Sequence, residues 1–517
     1  MIKNLKVCTA VFLLICVCFG VLLLSGCNSG DNGNNNKNND AGNNPAESDN
    51  SGAADSDGDA DETAQQERIY ADLPEMDFNG YEFRILSRGP NYNVHWYARD
   101  IYAEEETGDP INDAVFIRNK TVEDKYNINI VNLPENGDLA SRASKSVKAG
   151  DDAFDLVCHG LSQISSLTTD GYFYDLIAFP YIDLTKPWWD RKAVEQLTID
   201  GRLFATVGNY LITDKDATWI LMFNKQVLQD HSLEDVYQLV KDGGWTMDKM
   251  LEMMKAVAKD LNGDGKMDDN DQWGLVSQYR NSLAFYNGAG EYVAKVNPAT
   301  GEPEITMFND KAVSICEKIY ELQADKNITI NADEYQSKYP NDRVWDDMQL
   351  VVFNTNRALF YYAGMNRVTL LRDMETDFGI IPPPKYNTDQ NEYYPSVEVG
   401  CTSSVAIPVT VTDKDRTGII IEALSAESQY TLLPAYYDIS LKTKFARDDE
   451  SQEMLDLIFA NRLYDIGHIY DWGGLTSFYY DTFHKGTNTI ASFWDKNETK
   501  AAKALEKTID KIKNIEQ

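Results

Sequence analysis

Basic residues are scarce in this chain: 48 Lys and Arg stand against 82 Asp and Glu in 517 residues, a formal net charge of −34. Phosphate backbones and anionic lipid are repelled by such a charge, which argues against nucleic acid as a partner. A solvated acidic surface is the simpler reading of the excess. Histidine is scarcer still, with five residues at 95, 159, 231, 468 and 484, too scattered for a zinc site. Cysteines number seven. Those that lie past residue 27 are Cys158, Cys316 and Cys401, an odd set with wide spacing, which excludes a disulfide framework and a metal cluster. Buried small hydrophobes is their expected role. No HExxH, no G-x-S-x-G and no phosphate-cradling glycine loop is present. No internal repeat is visible.

Long apolar runs are confined to the start. Lys3 and Lys6 carry the only charges before an uncharged stretch from Val7 to Leu24, and Leu24-Ser-Gly-Cys27 closes it. This tetrapeptide matches the lipobox read by lipoprotein signal peptidase. The match implies cleavage before Cys27, a signal peptide over 1–26 and a lipid on the Cys27 thiol. An uncleaved transmembrane anchor is the alternative, because about 18 apolar residues just span a bilayer. Removing residues 1–27 removes two Lys and no acid, so the mature charge is −34 − 2 = −36.

From residue 28 to about 67 there is no Val, Ile, Leu, Met or aromatic residue. Such a segment cannot bury enough apolar surface to offset its backbone entropy, so a disordered acidic linker is expected over 27–67. As a coil, its roughly 40 residues span about 35 Å. Residues 68–517 read as globular, long enough for two or three domains.

Within them strands alternate with helices, as expected of an α/β fold. Tyr81–Leu86 is an alternating strand after the Asn79-Gly80 turn, a helix is predicted over 112–125 with Ala114, Val115, Ile117 and Val122 inward, and strands follow at 127–131 and 154–158. That order suggests βαβ units in a mainly parallel sheet. Further strands are predicted at 200–208 (after a turn), 219–225, 272–276, 357–362, 378–381 and 402–409. Helices are predicted at 247–259 behind Thr246, 310–324, 414–428 behind Asp413, 450–464 and 497–515. The Met247, Met250, Leu251, Met254 and Val257 stripe reads as core.

The densest chemical motif is Asp260-Leu-Asn-Gly-Asp-Gly-Lys-Met-Asp-Asp-Asn-Asp271. Asp260, Asn262, Asp264, Asp268 and Asp271 place side-chain oxygens at positions 1, 3, 5, 9 and 12 of a calcium loop, Lys266 supplies a backbone carbonyl at position 7, and Gly265 sits where the loop turns sharply. Position 12 is Asp rather than the usual Glu, which bears on affinity. A strand-like segment follows the loop, so a single structural calcium ion is expected rather than a helix–loop–helix sensor. A metal-free acidic surface turn is the alternative.

Taken in order, Phe154-Asp-Leu-Val, Gly171-Tyr-Phe-Tyr-Asp-Leu, Asp200-Gly-Arg-Leu-Phe, Phe223-Asn-Lys, Gly243-Trp-Thr, the acidic loop with Trp273-Gly-Leu, Arg357-Ala-Leu-Phe, Phe378-Gly-Ile-Ile-Pro-Pro-Pro and Asp449–Ile458 resemble the extracellular solute-binding proteins of family one, the sugar receptors of ABC importers. The resemblance covers nearly all of the chain after residue 78, with no match at 88–112. It implies a two-lobed periplasmic-binding-protein type II fold with hinge strands between the lobes. It places lobe one at about 78–200 plus 355–400 and lobe two at about 215–350 plus 410–517. It implies ligand capture by closure, delivery to ABC permease subunits, no catalysis, and a place on the outer face of the cell membrane held by the lipid anchor alone. A peptide receptor of an ABC importer is the runner-up, followed by a surface polysaccharide hydrolase.

Sugars need aromatic platforms and hydrogen-bonding side chains in a concave site. Strand ends in an open α/β sheet face the crevice. On that filter the candidates are Arg88 and Trp96 with neighbouring Ser87, then His159, Trp188, Trp189, Tyr286, Asn287, Tyr362, Met365, Glu398 and Trp472. Cys158 and His159 are adjacent on a strand and point to opposite faces, which argues against a nucleophile pair.

Overall fold

Gapless apolar runs such as Trp219-Ile-Leu-Met-Phe require cover on both faces of a strand, and the chain supplies it twice. The computed structural model describes residues 68–516 except 94, 342, 443–448, 482 and 484–486. The expected signal segment, the lipidation site Cys27 and the acidic linker lie outside the described residues. Strands occur as β1 (Tyr81–Arg88), β2 (Ile128–Glu135), β3 (Leu156–Gly160), β4 (Trp219–Asn224), β5 (Trp273–Ser277), β6 (Ala294–Val296), β7 (Pro303–Ile305), β8 (Thr329–Asn331), β9 (Ala358–Gly364), β10 (Phe378–Ile381) and β11 (Ser403–Ala406).

The first sheet has the order β11-β3-β1-β2. β1 runs parallel to β2 and β3, and β11 is antiparallel to β3. Helices Pro110–Tyr126 and Leu139–Ala149 make the two parallel connections. Asp109 caps the first of them by accepting from the Asn112 amide at 2.9 Å. Phe83, Ile85, Leu156, Cys158 and Val405 pack on one face with Val122 and Ile420. Leu86, Val157 and Ala406 pack on the other with Leu139, Ile164 and Phe173.

The second sheet has the order β10-β4-β9-β5-β8. β4 is antiparallel to β10 and β9, while β5 is parallel to β9 and β8. Trp219, Leu221 and Phe223 face a core that holds the Met247, Met250, Leu251, Met254 and Val257 stripe. Ile220 and Met222 face Val352, Phe353, Leu455 and Ile458 on the other side. Each such buried side chain contributes about 1.5–3 kcal/mol of transfer free energy. Gly274 is needed where β5 meets helix Met247–Val257: a Cβ there would lie 2.5 Å from the Met254 Cβ and 2.7 Å from its Cα. Thr246 and Asp413 cap their helices by accepting from the Lys249 and Arg416 amides.

The structure corrects the expected lobe boundaries. β9 and β10 hydrogen-bond to β4, so 358–381 belongs to the second sheet rather than the first. β11 belongs to the first sheet, and helix Lys414–Ser428 packs beside helix Pro110–Tyr126. A binary apolar pattern does not say which sheet a strand joins. The strand expected at 200–208 is reduced to isolated bridges, Thr206 to Val405 and Gly208 to Trp189, after a turn in which Asp200 and Gly201 both have positive φ. In helix Pro110–Tyr126, Ile117 is exposed, and Arg118 and Asn119 take buried positions instead. Cys158 and Cys316 are buried free thiols, and Cys401 is half-buried.

Trp188 and Trp189 are core residues, not ligand platforms. Both are buried, and their indole Nε1 groups donate to the two oxygens of Glu422 at 3.0 and 2.9 Å. Burial pushes the Glu422 carboxyl up to about 7, against the two indole hydrogen bonds that favour its charged form. The folded protein therefore holds this proton up to near neutrality, whereas the unfolded chain releases it near the ordinary carboxylate value. The native state binds more protons in that window, so stability falls as pH rises through it. Chemical denaturation of wild type between pH 5 and 7 is expected to show a loss of about 2 kcal/mol from this group, and Glu422→Gln is expected to flatten that slope. An unchanged slope in the variant would refute the assignment.

Candidate functional site

Among the described residues, three chain segments that cross between the two lobes lie side by side. Thr218 pairs antiparallel with Val397, and Ser396 pairs parallel with Leu463. The Trp219 amide donates to the Ser396 carbonyl and the Glu398 amide to the Ala217 carbonyl, each at 2.9 Å. The Val397 amide reaches the Leu463 carbonyl at 3.1 Å and the Leu463 amide reaches the Pro395 carbonyl at 2.9 Å. Ala217, Val397, Val399, Tyr464 and Ile469 pack around them.

Charges lie buried beneath these crossings. Arg462 donates to Asp214 at 2.6 Å and also to Asp190. Lys215 reaches Asp214 at 3.2 Å, and the Tyr464 hydroxyl donates to Asp190 at 2.9 Å. Alongside, Arg99 pairs with Asp216 at 2.8 Å and the Tyr436 hydroxyl donates to the same carboxylate. The Arg462 pairing opposes the burial of Asp190 and leaves its pKa below the ordinary carboxylate value.

A polar and aromatic cluster sits where the lobes meet. From the first lobe come Arg88 at the end of β1 and His159 near the end of β3, both buried. The half-buried Tyr92 ring lies 5.9 Å from the Arg88 guanidinium and 5.9 Å, edge-on, from the His159 ring. From the second lobe, Arg280 precedes helix Asn281–Gly288 and pairs with hinge residue Glu398 at 3.1 Å. Arg280 also lies over the Tyr480 ring at 4.9 Å, and the Tyr480 hydroxyl and His468 Nε2 are 2.8 Å apart.

Segment 89–100, within the stretch that matched nothing by sequence, reaches across. His95 Nε2 lies 3.6 Å from Asp346, which pairs with Arg367 at 2.5 Å. The Trp96 ring edge approaches Gly364 at the end of β9. Burial and the neighbouring Arg367 lower the His95 pKa, and burial with the neighbouring Arg88 lowers that of His159 to about 3. Both imidazoles are therefore neutral near pH 7 and present one donor and one acceptor each.

Of the residues expected from sequence, Arg88, Trp96, His159 and Glu398 are brought together here. Ser87 is buried beside them and hydrogen-bonds Asn132 at 2.6 Å. The others are not at the cleft surface. Tyr286 and Tyr362 are fully buried in the second-lobe core, with the Tyr286 hydroxyl on the Met307 carbonyl. Asn287 is buried and donates to Asp465 and the Glu291 carbonyl. Met365 is core. Trp472 is buried, stacks on Tyr470 and donates to Thr508 at 2.9 Å. Large aromatics next to glycine read the same in sequence whether they line a cleft or fill a core. Sequence reasoning missed Tyr92, Arg280, His468 and Tyr480. The strand-end filter, applied to β5, leads to Arg280, while His468 and Tyr480 arrive only through tertiary packing.

The loop 260–271 is closed by its own side chains. Asp260 accepts from the Gly263 and Gly265 amides at 2.7 and 2.8 Å, which holds its pKa below the ordinary value. Asn262 and Asp264 accept from the Asp264 and Lys266 amides, and Asp268 accepts from the Asn270 amide. Asp271 is buried and accepts from the Leu261 and Asp268 amides. Gly263 and Gly265 take positive φ, as a sharp turn requires. Among the described residues no three His, Cys, Asp or Glu side chains converge to hold a metal ion.

A half-open, mostly apolar crevice among Leu161, Leu197, Phe204, Ile466 and Tyr470 has a volume of about 30 Å³. That admits one water and no sugar.

No family model and no curated protein matches the chain. Solved structures do. The galacto-N-biose/lacto-N-biose I-binding protein of an ABC transporter from Bifidobacterium longum, in complex with lacto-N-biose, aligns with a TM-score of 0.53 at 13% identity, covering 85% of this chain and 98% of that one. A sugar transporter protein from Rhizobium etli in an open conformation aligns with a TM-score of 0.52 at 14% identity, over 84% of this chain and 100% of that one. A cyclo/maltodextrin-binding protein complexed with maltotetraose aligns with a TM-score of 0.51 at 13% identity, over 84% and 98%.

Proposed function

From the two-lobed periplasmic-binding-protein type II fold that the chain shares with these structures, we propose that it is the carbohydrate-binding receptor of an ABC importer. The observation that carries the reading is the pair of separately cored α/β lobes on a three-crossing hinge, with Arg88, Tyr92, Trp96, His159, Arg280, Glu398 and Tyr480 gathered where the lobes meet. Aromatic faces and hydrogen-bonding side chains are what a sugar needs. A ligand that touches both lobes favours the closed arrangement by its extra contacts there, and a permease can read that arrangement. In this reading the chain captures its ligand and does not transform it.

The reading includes anchoring. Cleavage before Cys27 and lipidation of its thiol would tether the globular part outside the cytoplasm through about 40 linker residues, at high effective concentration near the permease. The lipobox supports this. Among the described residues no helix is long and apolar enough to cross a membrane. Calcium at loop 260–271 belongs to the proposal on the strength of oxygen spacing alone.

Thermal-shift screening of residues 68–517 against neutral and acidic oligosaccharides and against peptides tests the main claim. Stabilisation of about 2.7 kcal/mol is expected at a hundredfold excess of the right saccharide over Kd. Stabilisation by peptides alone would favour a peptide receptor, and degradation of added polysaccharide would favour a hydrolase. For the ion, a chelator is expected to lower the melting temperature, and Asp264→Ala is expected to abolish that response. An unchanged melting temperature with chelator removes calcium from the account.

A further inference from the structure

Two buried arginines in the first lobe differ in how they are satisfied. Arg118 is fully buried and donates to the Asp100, Ile101 and Tyr210 carbonyls and to the Asn119 side chain, so its guanidinium is well used. Arg88 is 1% exposed. Its Nη2 donates to the Cys401 carbonyl and the Ser403 hydroxyl, each at 2.5 Å, and its Nε has no partner. No carboxylate pairs with it among the described ion pairs. A buried cation without an anion is costly unless something else supplies the charge.

The side chains around Arg88 are polar or aromatic. His159 is 2% exposed, and its Nδ1 also lacks a partner. Residue 160 starts helix Leu161–Thr168, whose first turn has no side-chain cap. The positive end of that helix dipole lies here. Its first two amides are taken by the Thr402 and Val399 carbonyls. A Cβ on Gly400 would lie 3.6 Å from Glu398 Oε1, 3.7 Å from Ser162 Oγ and 3.9 Å from Gln163 Nε2, so the Gly400-Cys401 turn that Arg88 grips is ringed by polar side chains. The neighbouring acid, Glu398, is already paired with Arg280. Asp100 is the buried carboxylate whose charge reaches Arg88, and it also acts on Arg118, so two guanidiniums stand against one carboxylate here, in a chain whose formal net charge is −34.

We propose that this cluster, formed by Arg88, His159 and the start of helix Leu161–Thr168, holds an anionic group on the saccharide, a ring carboxylate or a sulfate ester. The proposal rests on the receptor reading and narrows its ligand to acidic sugars. Tyr92, half-buried above both side chains, supplies the ring face that the same sugar unit stacks on. Arg is suited to the task because its planar fork matches a carboxylate or sulfate and it stays charged when buried.

Isothermal titration of residues 68–517 with matched disaccharides tests it: digalacturonate against digalactose, cellobiouronate against cellobiose, and a sulfated disaccharide against its unsulfated form. At least one acidic member is expected to bind about tenfold or more tighter than its neutral partner, with an affinity that falls as salt is raised. The carboxylate and sulfate arms identify which anion is held. Arg88→Met is expected to erase the preference for the acidic partner. Should that variant fail to fold, Arg88→Lys is expected to weaken the preference without abolishing it, and His159→Asn to do the same. Equal affinity for acidic and neutral partners overturns this inference and leaves the receptor reading intact. Equal losses for both partners in the variants also overturn it, since they mark a structural role. Binding of no saccharide at all overturns both.

Discussion

The hinge depends on buried charge. Asp190 and Asp214 are held by Arg462, Asp214 is shared with Lys215, and Tyr464 completes the set. Two anions and two cations out of water balance to zero, and hydrogen bonds use the carboxylate oxygens. The set is stable only while every member is present, because removing one partner of a buried pair costs about 3–5 kcal/mol. Its members come from three distant stretches, 190, 214–215 and 462–464, two of which flank hinge crossings. An apolar plug of similar volume holds such segments together as well or better. What charge adds is geometric selectivity: a slipped crossing leaves a bare ion.

From that fixed point the rest of the molecule follows. Each sheet has a core on both faces, and Ile305 packs against the cores of both lobes. The described crossings are hydrogen-bonded to each other. Glu398 lies one residue beyond Val397, in the crossing itself, and pairs with Arg280 of the second lobe. Segment 89–100 leaves β1 and reaches Asp346 and Gly364 on the far side. The candidate cluster is thus attached at or beside the hinge crossings.

Much of the fold was legible in the sequence because strands buried on both faces leave gapless apolar runs, and helix starts leave caps. Phe378–Ile381 and Lys414–Ser428 fall where the pattern put them, and Asp413 and Thr246 cap as expected. Membership of a sheet was not legible. β9 and β10 look alike in either lobe, since pairing is decided by contacts more than a hundred residues apart in the chain. The site was half legible. Arg88, His159 and Glu398 sit at strand ends or crossings, and topology fixes what they face. Trp188, Trp189, Tyr286, Tyr362 and Trp472 satisfy the same local rule, yet they fill cores, because an aromatic beside a turn is also a good plug. His468 and Tyr480 carry no local signal; only folding of the C-terminal region brings them to Arg280.

The central claim is that a saccharide closes two lobes about this hinge. Single-molecule energy transfer between dyes on Lys120→Cys in the first lobe and Lys255→Cys in the second, both exposed on the outer helices, reads that motion directly. The account predicts that a saturating saccharide ligand shifts the population from a longer interlobe distance to a single shorter one. Saturating binding with no change in the distance distribution would contradict it.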